Sequence, residues 1–221
     1  MNKKVVYTCI TGNYEPLIEL TYKEEGFDYI CFTDNNNLSS KTWDIRYIDL
    51  DLIFETPQRL QRYIKINTHK FLSDYELSIW VDGNIPIIGD LSEMIKKHHH
   101  GYMTTFKHPF RNCIYKESAM CSIGKKDDAL IMFKQSLKYL KDGYPKENGL
   151  VETKMIIRNH NEKECIELME AWSNELMNNS VRDQLSFNYV LWKQNKTINI
   201  IEEKLVDNKY IKIVYGHKKS K

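Results

Sequence analysis

The sequence predicts an α/β fold on two observations. Short β-branched and aromatic runs alternate with stretches of helical periodicity, and each run stops at a turn rich in Gly, Asn or Asp. No internal repeat and no linker rich in Pro, Gly or Ser divides the 221 residues, so one domain over residues 1–221 is expected.

Residues 5–10 read as the first strand, ended by Thr11-Gly12-Asn13. Residues 29–33 read as the second, ended by Asp34-Asn35-Asn36-Asn37. Thr56 followed by Pro57 has the form of an N-cap and first helical residue, opening a helix toward Phe71. Residues 77–81 are an apolar strand pattern that ends on Asp82-Gly83-Asn84. Asp90 and Glu93 make a capping box for a helix to about His100. From Asp127 to Asp142, apolar residues recur at helical spacing (Leu130, Phe133, Leu137, Leu140), and Gly143 stops the run. A strand is expected at 155–157, helices over 161–178 and 182–194, and late strands at 197–201 and 210–215.

Hydrophobic residues at 42% and charged residues at 28% describe an ordinary globular chain. The balance of 32 Lys+Arg against 30 Asp+Glu lacks the surplus of a nucleic-acid binder, so no nucleic-acid partner is expected. Met1 to Tyr7 does not read as a signal peptide, and no run approaches the ~18 apolar residues of a spanning helix. A cytoplasmic location follows as the expectation, with peripheral membrane contact left open. The 5 cysteines are odd in number and hold no C-x-x-C pair, which favours reduced, buried thiols.

Three segments carry candidate chemistry. Asp82 and Asn84 close an apolar strand and project to one side, since residues i and i+2 share a face. Such oxygen ligands suit Mg²⁺ or Mn²⁺ shared with phosphates, although Asp-Gly is also an ordinary turn pair. Upstream, Arg59, Arg62, Lys65 and His69 share a helix face, and no acidic residue occurs between Glu55 and Asp74. That stripe suits a diphosphate, and a solvated charged face is the plainer alternative. Asp183, after Ser180, fits either a helix terminus or a site carboxylate. The tail from Tyr215 to Lys219 offers His217 and reads by itself as a frayed basic end. His98-His99-His100 reads as surface at a helix end, because adjacent helical positions diverge. G-x-S-x-G, the Walker loop, G-x-G-x-x-G and H-E-x-x-H are all absent.

Five segments occur in order: Tyr7 to Tyr14, Asp28 to Asp34, Ser78 to Asn84, His108-Pro109-Phe110-Arg111, and Arg182 to Phe187. This series resembles the glycosyltransferase-like domain of the TOD1/MUCI70 proteins. It is more distantly similar to the glycogenin-like retaining glycosyltransferases of GT-A fold. The resemblance implies a GT-A-like, Rossmann-related sheet, mixed but mostly parallel, flanked by helices and with a C-terminal helical portion. It also implies transfer from a nucleotide sugar, a UDP-sugar first, to a hydroxyl of a glycan or lipid-linked acceptor, assisted by Mn or Mg. Carried over by position, Asp82, Asn84 and His217 would hold the metal, with Asn84 a weaker ligand than the Asp usual there. Thr8, Thr11, Tyr14 and Asp34 would line the base and ribose. Arg59, Arg62 and Lys65 would face the diphosphate. Asp183 would sit at the reacting sugar, with Glu152 a second catalytic carboxylate. Two other functions remain open on the sequence: a metal-dependent hydrolase of a lipid-linked or phosphorylated substrate, and a non-catalytic nucleotide-sugar-binding module.

Overall fold

The structure, a computed structural model, describes residues 3–48, 54 and 56–214. Seven strands form one sheet in the order β3-β2-β1-β4-β6-β5-β7. They are β1 (Lys4–Ile10), β2 (Phe27–Thr33), β3 (Asp44–Tyr47), β4 (Leu77–Val81), β5 (Met103–Lys107), β6 (Val151–Arg158) and β7 (Asn199–Ile201). β6 pairs antiparallel with both β4 and β5, and the other pairings are parallel. The central strands are apolar runs because helices or loops cover both faces. On one face Tyr7, Trp80 and Ile156 pack with Leu60, Ile64, Trp172 and Phe187. These come from α1 (Pro57–Ile66), α6 (Lys163–Met177) and α7 (Gln184–Lys193). On the other face Val6, Ile79 and Ile157 pack with Leu91 and Met94 of α3 (Leu91–His98).

The expected helix from Thr56 to Phe71 is instead two, α1 and the short α2 (Thr68–Phe71). Arg158, wholly buried in the sheet, donates to the carbonyls of Lys65 at 2.8 Å and Ile66 at 3.3 Å. Tyr7 Oη donates to the Lys65 carbonyl at 2.7 Å. The last carbonyls of α1 are thus satisfied from below, and the helix breaks there, with the Lys65 backbone fixed.

β3, β5 and α4 (Ile114–Ile123) stand where no element was expected. Threonines inside β5 and charges in β3 blur the apolar pattern. Segment 210–215 makes no named strand among the described residues, and Tyr215 lies outside them. Instead it straps 84–88, with Val214 N donating to Asn84 O at 3.0 Å and Lys212 N to Pro86 O at 3.0 Å. The helix α5 (Ala129–Lys141) forms where expected, but the apolar stripe that predicts it faces solvent. Its buried side is Met132, Gln135 and Tyr139.

Candidate active site

β1, β2, β4 and β5 share one direction, so their carboxyl ends line one edge of the sheet, and the reversed β6 begins at that same edge. The chain leaves β1 toward β2 on one side and pairs with β4 on the other, the switch point where open α/β sheets gather ligands.

Lys65, 1% exposed, points from α1 into this edge. Its ammonium donates to Asp183 Oδ2 at 2.6 Å and lies 3.4 Å from both Asp82 Oδ1 and Thr153 Oγ1. Thr153 Oγ1 donates to the same Asp183 oxygen at 2.9 Å. Arg62 Nε stands 3.6 Å from Asp183 Oδ1, and Trp80 Nε1 donates to Asp82 Oδ1 at 2.8 Å. Asp183 is only 2% exposed. Burial by itself would push its carboxyl up, but Arg62, Lys65 and Arg182 outweigh burial and hold it well below the usual range. The group is therefore a fixed anion. Asp183 Oδ1 also accepts the Gln184 N–H at 3.1 Å, so the helix-terminus role is real as well. Three cations, Lys65, Arg62 and Arg182, thus surround two carboxylates, Asp82 and Asp183.

A second ionic group continues this one. Arg182 neighbours Glu117 as well as Asp183. Glu117 pairs with Arg111 and lies 3.6 Å from His108 Nε2. His108 Nδ1 accepts the N–H groups of Phe110 at 3.2 Å and Arg111 at 3.1 Å. Burial lowers the His108 pKa, with Glu117 opposing, so the ring is neutral near pH 7. Glu152, also buried, pairs with Lys154 at 2.5 Å. Phe110 stands 80% exposed beside this group.

The structure thus brings Arg62, Lys65, Asp82 and Asp183 together, with Glu152 one residue from Thr153. Other residues named from the sequence lie around this cluster. Thr11 Oγ1 donates to Pro57 O at 2.7 Å, and the Asp34 carboxylate accepts the Gly12 N–H at 2.9 and 3.0 Å. Gly12 has φ +61° and a Cβ there would meet Pro57 Cβ at 2.8 Å, so this turn sits tight against α1. Thr8 shares a face with Val6 and Ile10, opposite Tyr7 and Lys65, and borders a cavity of about 10 Å³ with Asp82 and Gly83. Tyr14 is exposed on the Thr11 turn. Arg59 donates to the carbonyls of Leu176 at 2.9 Å, Met177 at 3.3 Å and Asn179 at 2.8 Å, closing the end of α6. Arg59→Ala is expected to cost about 1.5–3 kcal/mol of stability, read as a lowered melting temperature. His217 lies outside the described residues.

The donors suit a divalent cation only with help. Asp82 Oδ1 is engaged by Trp80 and Lys65, and the Asn84 amide donates to Val214 O at 3.3 Å, which leaves Asp82 Oδ2 and the Asn84 amide oxygen. Among the described residues no group of three or more His, Cys, Asp or Glu side chains can hold a metal. Mg²⁺ and Mn²⁺ accept this situation when phosphate and water oxygens complete the shell. Thr153, Arg182 and Glu117 were missed in the sequence. Arg182 stands beside Asp183 in the chain, yet only the fold sets it near Glu117 as well.

No curated protein matches the chain. Among solved structures it is similar to the WbbM bifunctional glycosyltransferase in its apo structure, with a TM-score of 0.53 and 13% identity. The likeness covers 91% of this chain but 38% of that one, and at such identity it speaks for the fold. A mixed, mostly parallel, GT-A-like α/β architecture stands on it. The sequence itself matches the family model described as TOD1/MUCI70, glycosyltransferase-like domain, over residues 5–218, and the chain belongs to that family.

Proposed function

We propose that the chain transfers a sugar from a nucleoside-diphosphate donor, a UDP-sugar first, to a hydroxyl of a glycan or lipid-linked acceptor. The observation that carries this is the imbalance of the half-buried cluster, three cations around two carboxylates at the carboxyl edge of the sheet. An anionic ligand such as a diphosphate offsets the surplus. In the reaction the bond from the sugar's anomeric carbon to the diphosphate oxygen breaks. A bond to the acceptor oxygen forms, and the proton of the acceptor hydroxyl passes to the departing diphosphate. Arg62, with Lys65 behind it, stabilises charge on the departing diphosphate. Asp183 stays ionised, so it is a poor base, and its role is to hold a sugar hydroxyl and offset positive charge at the anomeric carbon. Glu152, at the edge of the second ionic group beside exposed Phe110, is the second carboxylate we assign to the reaction, on the acceptor side.

Asp82 and Asn84 would hold Mn²⁺ or Mg²⁺ together with the diphosphate. Bound there, the ion would supply further charge stabilisation to the leaving group. Asn84→Asp adds an anionic ligand and is expected to tighten Mn²⁺ binding by about tenfold, read by titration calorimetry with UDP present. We place this chemistry in a reducing, cytoplasmic setting, supported by five cysteines that are all buried and free of disulfides. A thermal-shift screen of nucleotide sugars and nucleoside diphosphates, with and without Mn²⁺, tests the proposal. A ligand at 100 times its Kd should add about 2.7 kcal/mol of stability. Stabilisation by a nucleoside diphosphate supports the reading, and no response to any of them contradicts it.

A further inference from the structure

We propose that α5 docks the protein onto an anionic lipid surface. The helix buries Met132, Gln135 and Tyr139 and turns Leu130, Phe133, Leu137 and Leu140 to solvent, with Leu130 and Phe133 each 58% exposed. At 100° per residue these four fall within one arc, opposite the buried three, and Lys134, Lys138 and Lys141 fall along one border of it. α4 packs on α5 and ends with Met120 and Ile123 exposed, Ile123 by 74%, and Lys125 and Lys126 follow in the connecting turn. A contiguous apolar stripe edged with lysines is the pattern of a helix that lies in a lipid interface.

Charge selects the occupant. Lys138 pairs with Glu175 at 2.7 Å, whereas Lys125, Lys126, Lys134 and Lys141 make no ion pair with the described residues. Of the nearby carboxylates, Asp142 pairs with Lys193, while Asp127 and Asp128 keep their charge at the opposite, N-terminal end of α5, where they accept from Ser180 Oγ, Val181 N and the first N–H groups of the helix. A second copy packed antiparallel on this face, through a two-fold axis perpendicular to α5, would set the lysine border against itself. Anionic headgroups complement it. A groove of about 290 Å³ between Lys134, Leu137, Lys138, Lys141 and Asp142 offers room for a phosphate beside the stripe. No described helix is long and apolar enough to cross a membrane, so the contact is made by the face of a helix.

The inference stands on this surface and is independent of the donor chemistry. Flotation with vesicles of phosphatidylcholine, alone or mixed with phosphatidylglycerol, tests it on the full chain. The wild type is expected to float with the mixed vesicles and not with the neutral ones. Phe133→Ser with Leu137→Ser should lower the bound fraction at least about tenfold, and Lys134→Glu with Lys141→Glu likewise. The melting temperature of each should stay unchanged, because the positions are exposed. Failure of the wild type to float with mixed vesicles would overturn the inference. Equal binding to neutral vesicles would do the same. So would an equilibrium-sedimentation dimer that the serine pair abolishes without any vesicle binding. A chain that floats yet binds no nucleoside diphosphate would leave this inference standing and remove the donor reading alone.

Discussion

Asp183→Asn is expected to lower turnover by about 100-fold or more, the scale of losing one preorganised electrostatic group. UDP affinity should hold or rise, because the substitution removes a negative charge from a cluster already rich in cations. Seen from sequence, Asp183 at a helix start would be worth only about 0.3–1 kcal/mol. Its burial among Lys65, Arg62 and Arg182 changes that figure. Leaving those cations without their carboxylate should cost about 3–5 kcal/mol, so stability falls along with rate. A large loss of rate with no loss of diphosphate affinity then separates a catalytic anion from a structural one. The pH profile gives a second readout. A carboxyl held low in the fold contributes stability that is full above its unfolded pKa of about 3.9 and is lost as pH falls further. His160 acts in a different window. Burial lowers it to about 4, so its contribution fades as pH drops from 6.5 toward 4. Asp183→Asn should flatten the stability curve below pH ~4 and leave the His160 window in place.

Lys65→Met is expected to do the converse to the ligand. Methionine keeps most of the length of the stem, but Asp183 loses its 2.6 Å partner and Asp82 loses its nearest cation. Stability should fall by about 3 kcal/mol, and the Asp183 carboxyl should titrate at higher pH. With Arg62 and Arg182 now matched by Asp82 and Asp183, the surplus positive charge is gone. UDP affinity should drop at least about tenfold, measured by calorimetry at constant ionic strength. A variant that folds and binds UDP as tightly as the wild type would show that Lys65 serves the carboxylates alone.

What the sequence made legible was local. β1, β2 and β4 announce themselves as apolar runs closed by polar turns, and the Thr56-Pro57 and Asp90-Glu93 signals place two helix starts within a residue. The basic face of α1 and the Asp82 strand end were visible as candidates, and the structure joins them through Lys65. Hidden were features set by partners distant in sequence. Arg59 has the spacing of a phosphate ligand, yet the carbonyls at the end of α6 take it. The break after Ile66 is marked locally only by Asn67, whose Nδ2 donates to Tyr63 O at 3.0 Å, and its long-range partner is Arg158 on β6. The stripe of α5 illustrates the same limit: periodicity shows that a helix is amphipathic but not which side meets the core. Here the tertiary packing buries Gln135 and Tyr139, which hydrogen-bond each other at 2.7 Å, and leaves the aliphatic side outside.

The most direct measurement is calorimetric titration of UDP, with Mn²⁺ present, into the wild type and into Arg62→Ala. Arg62 is chosen over Lys65 because its side chain keeps 17% exposure against 1%, so its loss disturbs packing less. Saturable binding by the wild type is expected, weakened about tenfold or more in Arg62→Ala at a melting temperature within a few degrees of the wild type. UDP binding that Arg62→Ala leaves unchanged, or no binding of UDP or any other nucleoside diphosphate by the wild type, would contradict it.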